Sequence, residues 1–475
     1  MTRLRPLFIL LACAVAQGTC AQPLDYAGAR TLAHERIDNL RMLQAEADRR
    51  AYEAQSDRSL HGPKITLDTK QVWGRKSVDL GSIDVGSKLG SGMAGAGASN
   101  QQAAQIAGAL GQMLAHMPPI DLKFDQDLDG PRAALNVELP IWTGGAISAK
   151  VAAADAATDE ARLQVTAARD QADTELATKY FAVQLARSVQ KLQSERLAQQ
   201  ELEVKKAKRF EETGTISKLE RMAVEVNRDA AKRELLAAQT NTRVAEAELA
   251  GLLRVPSLDA LTSPLFIVTS NLGSLAEWQD RALSNSPILA GIRAQSRQAD
   301  EGVTAAKAAW APQVYAFANK NLITHYLSIT EPDWVAGVGV RFTLWDNKDR
   351  TAKVAAARSL VEKAQAAQAE VANRLKTAVE TAYLRSDQAR EAYRLTDSTL
   401  AMAQENLRLR ERGFAEGIST ADDVNDARNK LLAARIARRV AAYRFVVAWA
   451  TLHSIAGTPE GFVASMEQPN TLFEN

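Results

Sequence analysis

From Leu135 to Ile141 the apolar residues Leu135, Val137, Leu139 and Ile141 alternate with Asn136, Glu138 and Pro140. The same period runs through Val338, Val340, Phe342 and Leu344, separated by Gly339, Arg341 and Thr343. Period two predicts strands with one apolar and one polar face. Weaker alternation predicts two more strands, over 64–73 and 312–319. Elsewhere the pattern is helical. No proline falls between Ile141 and Arg254, and Gly214 is the only glycine between Ala146 and Ala250. Between Asp346 and Gly457 there is again no proline, and only Gly413 and Gly417. Alanine, glutamate, arginine, lysine, leucine and glutamine dominate both stretches, and all are strong helix formers. Val361, Ala364, Val371, Leu375, Ala378 and Ala382 step by three, four or seven, a coiled-coil-like seam. Two helical hairpins are predicted, 144–208 with 217–252 and 347–411 with 419–456. At ~1.5 Å per residue the longer helices reach roughly 95–100 Å. Rods so rich in alanine suit thin walls with solvent on two sides rather than a thick core. Two further helices, about 24–60 and 275–310, lead toward Pro63 and Pro312.

The pattern occurs twice. Lys150-Val151-Ala152-Ala153-Ala154 returns as Lys353-Val354-Ala355-Ala356-Ala357, an offset of 203. That offset also maps Leu135, Val137, Leu139, Ile141 and Trp142 onto Val338, Val340, Phe342, Leu344 and Trp345. Phe210…Ala223 matches Phe414…Ala427 at an offset of 204, a slip of one. Alanine-rich composition could produce the helical match by chance. It cannot produce the strands and tryptophans upstream in the same register, so the chain reads as an internal duplication.

Composition then narrows the class. Arg3 and Arg5, an apolar run from Leu7 to Val15, and Thr19-Cys20-Ala21 read as a secretory leader cut after Ala21. Leu10-Leu11-Ala12-Cys13 loosely resembles a lipidation box, an alternative disfavoured by the bulk of Leu11. Cys13 and Cys20, the 2 cysteines of the chain, both lie in that leader. The processed chain has none, which excludes disulfides, thiolate metal sites and a cysteine nucleophile. The net charge is +2, and loss of Arg3 and Arg5 brings the signs into balance. A nucleic-acid partner, which needs a basic face, is not expected. After the leader no apolar run of 18 residues occurs; the best, 440–452, is short and contains Arg444. An α-helical membrane protein is excluded, but a barrel is not, because barrel strands are short and alternating.

In a membrane barrel the apolar faces would meet lipid, and Glu138 and Arg341 a wet lumen. Trp142 and Trp345 end their strands where an interfacial aromatic belt belongs. Four strands cannot close a barrel, and open edges are not tolerated in hydrocarbon. Either the sheet is soluble, or chains pool strands. Three chains would supply twelve.

The order helix, strand, strand, long helix, tip, long helix, repeated behind a leader, resembles the TolC family of outer-membrane efflux and secretion channels. The resemblance covers essentially the whole processed chain. Leu139-Pro140-Ile141-Trp142-Thr143-Gly144-Gly145 resembles that family's strand-to-helix junction, and Gly417-Ile418-Ser419-Thr420-Ala421-Asp422-Asp423-Val424-Asn425-Asp426-Ala427 its tip and gate. The resemblance implies a homotrimer: a 12-stranded outer-membrane β-barrel, 4 strands per chain, continued by a long α-helical coiled-coil tunnel through the periplasm. It implies an exit duct of a tripartite efflux pump or type I secretion system, not an enzyme. The implied partners are a periplasmic adaptor (membrane fusion) protein, an inner-membrane pump and outer-membrane lipid. Asp423 and Asp426 would form aspartate rings at the closed aperture, attracting cations. The turns Gly214-Thr215-Ile216-Ser217 and Gly417-Ile418-Ser419 would dock the adaptor. At the offset of 204, Leu219 stands opposite Asp423, so the first repeat would lack the acidic residue. Ser419 stands where a basic lock residue is expected, leaving Arg410 or Arg412 as substitutes.

The resulting divisions are 1–21 leader; 22–62 helix; 63–143 barrel strands 1 and 2, with an outer loop insertion at 77–118; 144–254 first hairpin, tip 209–217; 255–274 linker; 275–311 helix; 312–346 strands 3 and 4; 347–457 second hairpin, tip 412–419; and 458–475 tail. Within the insertion 90–99 is glycine-rich, and 101–117 is apolar enough for a short helix; the whole reads as an extracellular loop over the barrel mouth or, equally, as a disordered linker. Asp125-Gln126-Asp127-Leu128-Asp129-Gly130 begins like a calcium loop, but Asn136 replaces the closing glutamate and Pro131 intrudes, so an acidic strand end is favoured. The 5 histidines are scattered and no catalytic constellation appears; no cofactor or metal is expected. A soluble periplasmic coiled-coil adaptor or scaffold is the alternative reading. Cargo is not legible, since specificity in such systems would lie in the pump.

Overall fold

The computed structural model describes residues 23–474 except 84–87, 89–100, 118–119, 259, 326 and 329–330. The leader with Cys13 and Cys20, and the glycine-rich part of the insertion, lie outside the described residues. The chain divides into two compact units. One comprises Met1–Gln55, Ala152–Gly302 and Ala355–Asn475, the other Ser56–Val151 and Val303–Val354.

The second unit is built on strands β1 (Lys64–Val72), β4 (Gly130–Trp142), β6 (Gln313–Asn321) and β7 (Trp334–Arg341). They form one antiparallel sheet in the order β1-β4-β6-β7. The two hairpins share a register. Lys64 faces Glu138 in the first, and Gln313 faces Arg341 in the second. The last strand ends at Arg341, three residues short of the expected Leu344, and begins earlier, at Trp334. Gly337 and Gly339 break the apolar pattern at its start and hide it from a periodicity reading.

The expected loop insertion holds more structure than its composition suggested. β2 (Arg75–Ile83) and β3 (Ile120–Asp127) pair as a second, two-stranded ladder, and α3 (Gln101–Ala115) lies between them. Its acidic stretch has local work: Asp127 pairs with Arg75 at 2.7 Å, and Asp129 accepts the Gly74 N–H at 2.7 Å.

The first unit is helical. α4 (Ala146–Glu212) and α8 (Arg350–Ala415) enter it from the second unit, and α5 (Lys218–Leu253) and α9 (Ala421–Ile455) return alongside them. The seam residues Val361, Ala364, Val371, Leu375, Ala378 and Ala382 are all buried or half-buried. The helix expected over 22–62 is two, α1 (Tyr26–Arg36) and α2 (Asp38–Arg58), because Ile37 is extended. The helix expected over 275–311 is likewise two, α6 (Leu275–Asn285) and α7 (Pro287–Ala308). Ser286 precedes Pro287 and is forced out of helical geometry by the proline ring, while Pro287 itself suits a first helical position.

One part of this unit has a thick core, contrary to the thin-wall expectation. Tyr26, Tyr180, Phe181, Phe266 and Phe445 are fully buried, with Trp278, Trp449 and Phe462 packed among them. Each such side chain contributes about 1.5–3 kcal/mol by leaving water. The linker and tail complete this core. β5 (Leu265–Val268), all four residues buried, pairs with β8 (Thr471–Glu474), and α10 (Pro459–Ser465) precedes β8. The carboxylate of Glu474 bridges Arg438 at 2.6 Å and also bonds Arg439 and Tyr393. Asp173 on α4 ties α1 in place, accepting from Arg30 at 2.9 Å and meeting His34 at 2.6 Å, while Arg30 also reaches Glu460 on α10 at 2.8 Å.

Candidate functional site

Each hairpin turns on a glycine in the left-handed region, Gly214 at φ 68° and Gly417 at φ 77°. A side chain at either would cost about 1–2 kcal/mol. At the first tip the N–H groups of Thr215 and Ile216 donate to Phe210 O at 2.7 and 3.4 Å. At the second, those of Ile418 and Ser419 donate to Gly413 O at 2.7 and 3.1 Å. Reciprocal caps follow. Ser217 Oγ accepts from the Glu220 N–H at 3.2 Å while the Glu220 carboxylate accepts from the Ser217 N–H at 2.7 Å. Thr420 Oγ1 accepts from the Asp423 N–H at 3.1 Å, and Asp423 accepts from the Thr420 N–H at 2.9 Å.

These bonds keep the offset of 203 through the tip. Phe210 corresponds to Gly413, not Phe414, and the slip of one disappears. The counterpart of Asp423 is Glu220, not Leu219. Both repeats therefore carry an acid at this position, because a capping box needs one three residues after its Ser or Thr. The match of the two phenylalanines concealed it.

The two aspartates of the second tip occupy different surroundings. Hydrogen bonds from Thr420 hold the Asp423 carboxyl below the usual range, and Ser217 does the same to Glu220. Arg410 approaches Asp423 at 3.5 Å, whereas Arg412 pairs with Glu416 at 3.0 Å within its own helix end. Among the described residues, Asp426 has a long i,i+4 contact with Lys430, 3.8 Å, and is 74% exposed. Around them the tips present apolar side chains to solvent: Leu219, Met222, Phe210, Ile418 and Phe414.

A clasp joins the hairpins beside these aspartates, and no local sequence pattern announces it. Arg428 on α9 reaches Glu203 on α4 at 3.2 Å and Glu411 on α8 at 2.9 Å. The buried Gln200 donates to Asn425, between the two aspartates, at 2.9 Å. The partners on α4 and α9 are 225 residues apart, and no local pattern links them.

In the sheet, one face is a row of exposed apolar residues, including Ile65, Leu67, Val338 and Val340. The other face is polar and aromatic. Asn319 bonds Asn136, which bonds Asp68, across three strands. Tyr315 and Phe317 lie against Gly339 and Gly337, and the Arg341 guanidinium stands 4.7 Å from the Tyr315 ring and 3.9 Å from Glu138. Those aromatics on the polar side explain the weak alternation of 312–319. A bulge follows Pro140: Pro140 faces Tyr315, but Trp142 faces Val314. It turns Trp142 to the apolar side, which Val314 shares with Val340. Trp345 does not end its strand. It lies beyond Arg341, 83% exposed, donating to Asn347 at 2.6 Å.

The sequence profile described as outer membrane efflux protein matches residues 30–253 and 278–458. No curated protein matches the sequence. Among solved structures, the fold resembles CusC, with a TM-score of 0.68, 14% identity, and 91% of this chain and 92% of that one covered. It resembles the outer membrane protein VceC of Vibrio cholerae, with a TM-score of 0.67, 16% identity, and 91% and 96% covered. It also resembles the open state of the Neisseria gonorrhoeae MtrE outer membrane channel, with a TM-score of 0.65, 16% identity, and 91% and 89% covered. Identities this low speak for the fold alone.

Proposed function

The chain belongs to the outer membrane efflux protein family, and from that premise we propose that three copies form the exit duct of a tripartite efflux pump or type I secretion system. Proteins of this family are outer-membrane efflux channels, not enzymes. The observation that carries the oligomer is the sheet. β1 and β7 are open edges, and Ile65, Leu67, Val338 and Val340, each 60–67% exposed, line its apolar face. Lipid solvates that face, but it cannot satisfy the edge N–H and C=O groups. Pairing β1 of one copy with β7 of the next removes every edge, and three copies give twelve strands. In water, as a soluble adaptor or scaffold, the same row would be an aggregation hazard.

The long helices then continue as a periplasmic tunnel. Its tips, Gly214–Ser217 and Gly417–Ser419, meet the periplasmic adaptor protein, and exposed Leu219 and Ile418 give that docking an apolar component. An inner-membrane pump delivers the substrate. Asp423 and Asp426 line the aperture. Asp423 is held ionised by its own cap, so three copies of it gather negative charge on the axis and favour cations over anions. Trp142 sits at the membrane interface.

Cell fractionation, with a gel comparing heated and unheated samples, tests the whole reading. The expected result is an outer-membrane protein whose unheated form runs as a compact oligomer and shifts on heating to a single chain somewhat below the 51.5 kDa of the unprocessed sequence. A protein found wholly in the soluble periplasmic fraction overturns it.

A further inference from the structure

β1 and β4 pair from Lys64–Glu138 to Val72–Gly130, and beyond that limit β2 and β3 pair from Arg75–Asp127 to Ile83–Ile120. Together β1 and β2 run to about 65 Å at ~3.3 Å per residue, more than twice the ~25 Å apolar band of an outer-membrane barrel. Among the described residues the β6–β7 hairpin has no such extension. The projection therefore rises from the edge of the sheet opposite to the end where the long helices join. It is anchored at its base to the β6–β7 connection. Lys76 donates to Ser328 at 2.8 Å, Gln126 to Leu327 O at 2.6 Å, and Arg132 pairs with Glu331 at 3.1 Å.

α3, between β2 and β3 in the chain, carries an exposed apolar row. Ile106, Leu110 and Met113 fall on one face, 67, 45 and 76% exposed. We propose that this row is a contact surface between copies of the chain, packing against the same row of the neighbouring subunits above the barrel rim. The proposal rests on the three-copy reading. Charge argues for a second copy as the occupant rather than a membrane. Between Lys88 and Asp121 there is no Lys, Arg, Asp or Glu. A helix lying on a lipid surface carries Lys or Arg on its polar side to meet anionic headgroups. α3 carries glutamines instead, and identical uncharged helices meet without repulsion. Position argues the same way. β2 prolongs β1, the edge at which the next copy must pair, so α3 is borne at the joint between subunits.

The cysteine-free processed chain makes the test direct. Leu110→Cys and Met113→Cys, in outer-membrane vesicles treated with an oxidant, are expected to give a covalent dimer in at least half of the chains. Gln112→Cys, on another side of the helix, stays at under a tenth. Glutaraldehyde crosslinking of the unaltered protein in the same vesicles reads the copy number independently of α3. A trimer there without dimer from Leu110→Cys or Met113→Cys overturns the α3 contact and leaves the duct standing. Equal crosslinking at Gln112→Cys overturns it as non-specific. Quenching of a fluorophore at Leu110→Cys by spin-labelled lipid assigns the row to the membrane and overturns it too. A monomer under glutaraldehyde overturns both readings.

Discussion

At Asp423 one carboxylate both closes a helix cap and faces the proposed aperture, whereas Asp426 caps nothing. The two roles separate in mutants. Asp423→Ala removes the reciprocal cap and lowers the melting temperature by about 2–4 °C. Asp426→Ala leaves it unchanged. Both raise single-channel conductance in planar bilayers and weaken block by trivalent cations. Wild-type conductance and block in Asp426→Ala would sink the aspartate-ring assignment. A second residue-scale prediction concerns pH. Burial, with the neighbouring Asp173 charge, pushes the Asp170 carboxyl up to about 6, against which the charges of Arg30 and His34 pull. Its folded-state pKa lies above its unfolded value, so the folded state binds the proton more tightly. Stability from this group is present below about pH 4 and declines as pH rises to about 6. Asp170→Asn should therefore raise the melting temperature more at pH 7.5 than at pH 4.5; an equal gain at both would refute the linkage. His453 has the opposite sign. Burial lowers it to about 4, so its contribution is present above about 6.5 and is lost as pH falls toward 4.

Among the elements, the sheet depends on two glycines whose partners are aromatic. A Cβ at Gly339 would lie 2.6 Å from Tyr315 Cζ, and both residues sit in β-strand rows where glycine has no backbone reason to be. Gly339→Val should force the ring off its strand and reduce the heat-resistant oligomer on gels, while Gly74→Ala, where nothing lies within 4 Å, serves as a neutral control. An undiminished oligomer in Gly339→Val would show that the ring packing is dispensable. The same pair explains what the sequence could reveal. Strict alternation in 135–141 exposed its strand at once. Strand 334–341 was displaced toward its C-terminal side, because Gly337 and Gly339 carry no polarity signal. The fold class was legible because proline-free, alanine-rich stretches and two alternating segments are strong local signals. β5, β8 and the division at Pro287 were harder: the strands are four residues each, and their partners are about 200 positions away. Of the tip, the glycines and the second cap's residues were visible. The Arg428–Glu203 clasp was not, because only tertiary contact defines it.

Across the whole molecule, the duplication determines what is shared and what is not. The strand hairpins repeat with one register and the helical tips with one set of caps, so the two halves present equivalent contacts. The β2–β3 projection and the β5–β8 ladder break that equivalence. In the proposed three-copy duct, two halves per copy would otherwise approximate a sixfold ring, and these additions would reduce it to a threefold one.

Large side chains are distributed unevenly along the helices. Tyr180, Phe181, Phe445 and Trp449 anchor the middle of α4 and the latter part of α9, whereas nearer the tips the buried apolar positions are Val204, Ala207, Ala231, Val424, Ala427, Leu431 and Ala434, only one of them larger than valine. Small side chains give little dispersion energy per turn, so the hairpin ends open locally at far lower free energy than the aromatic region. Backbone amides of 200–225 and 405–430 should exchange with deuterium within minutes, and those near 176–183 and 442–452 only over many hours; uniform protection along α4 would contradict this gradient. In the proposed duct, an aperture at these ends would widen by bending helix ends whose other portions remain clamped, so each opening would deform only a few turns and leave the rest of the wall watertight.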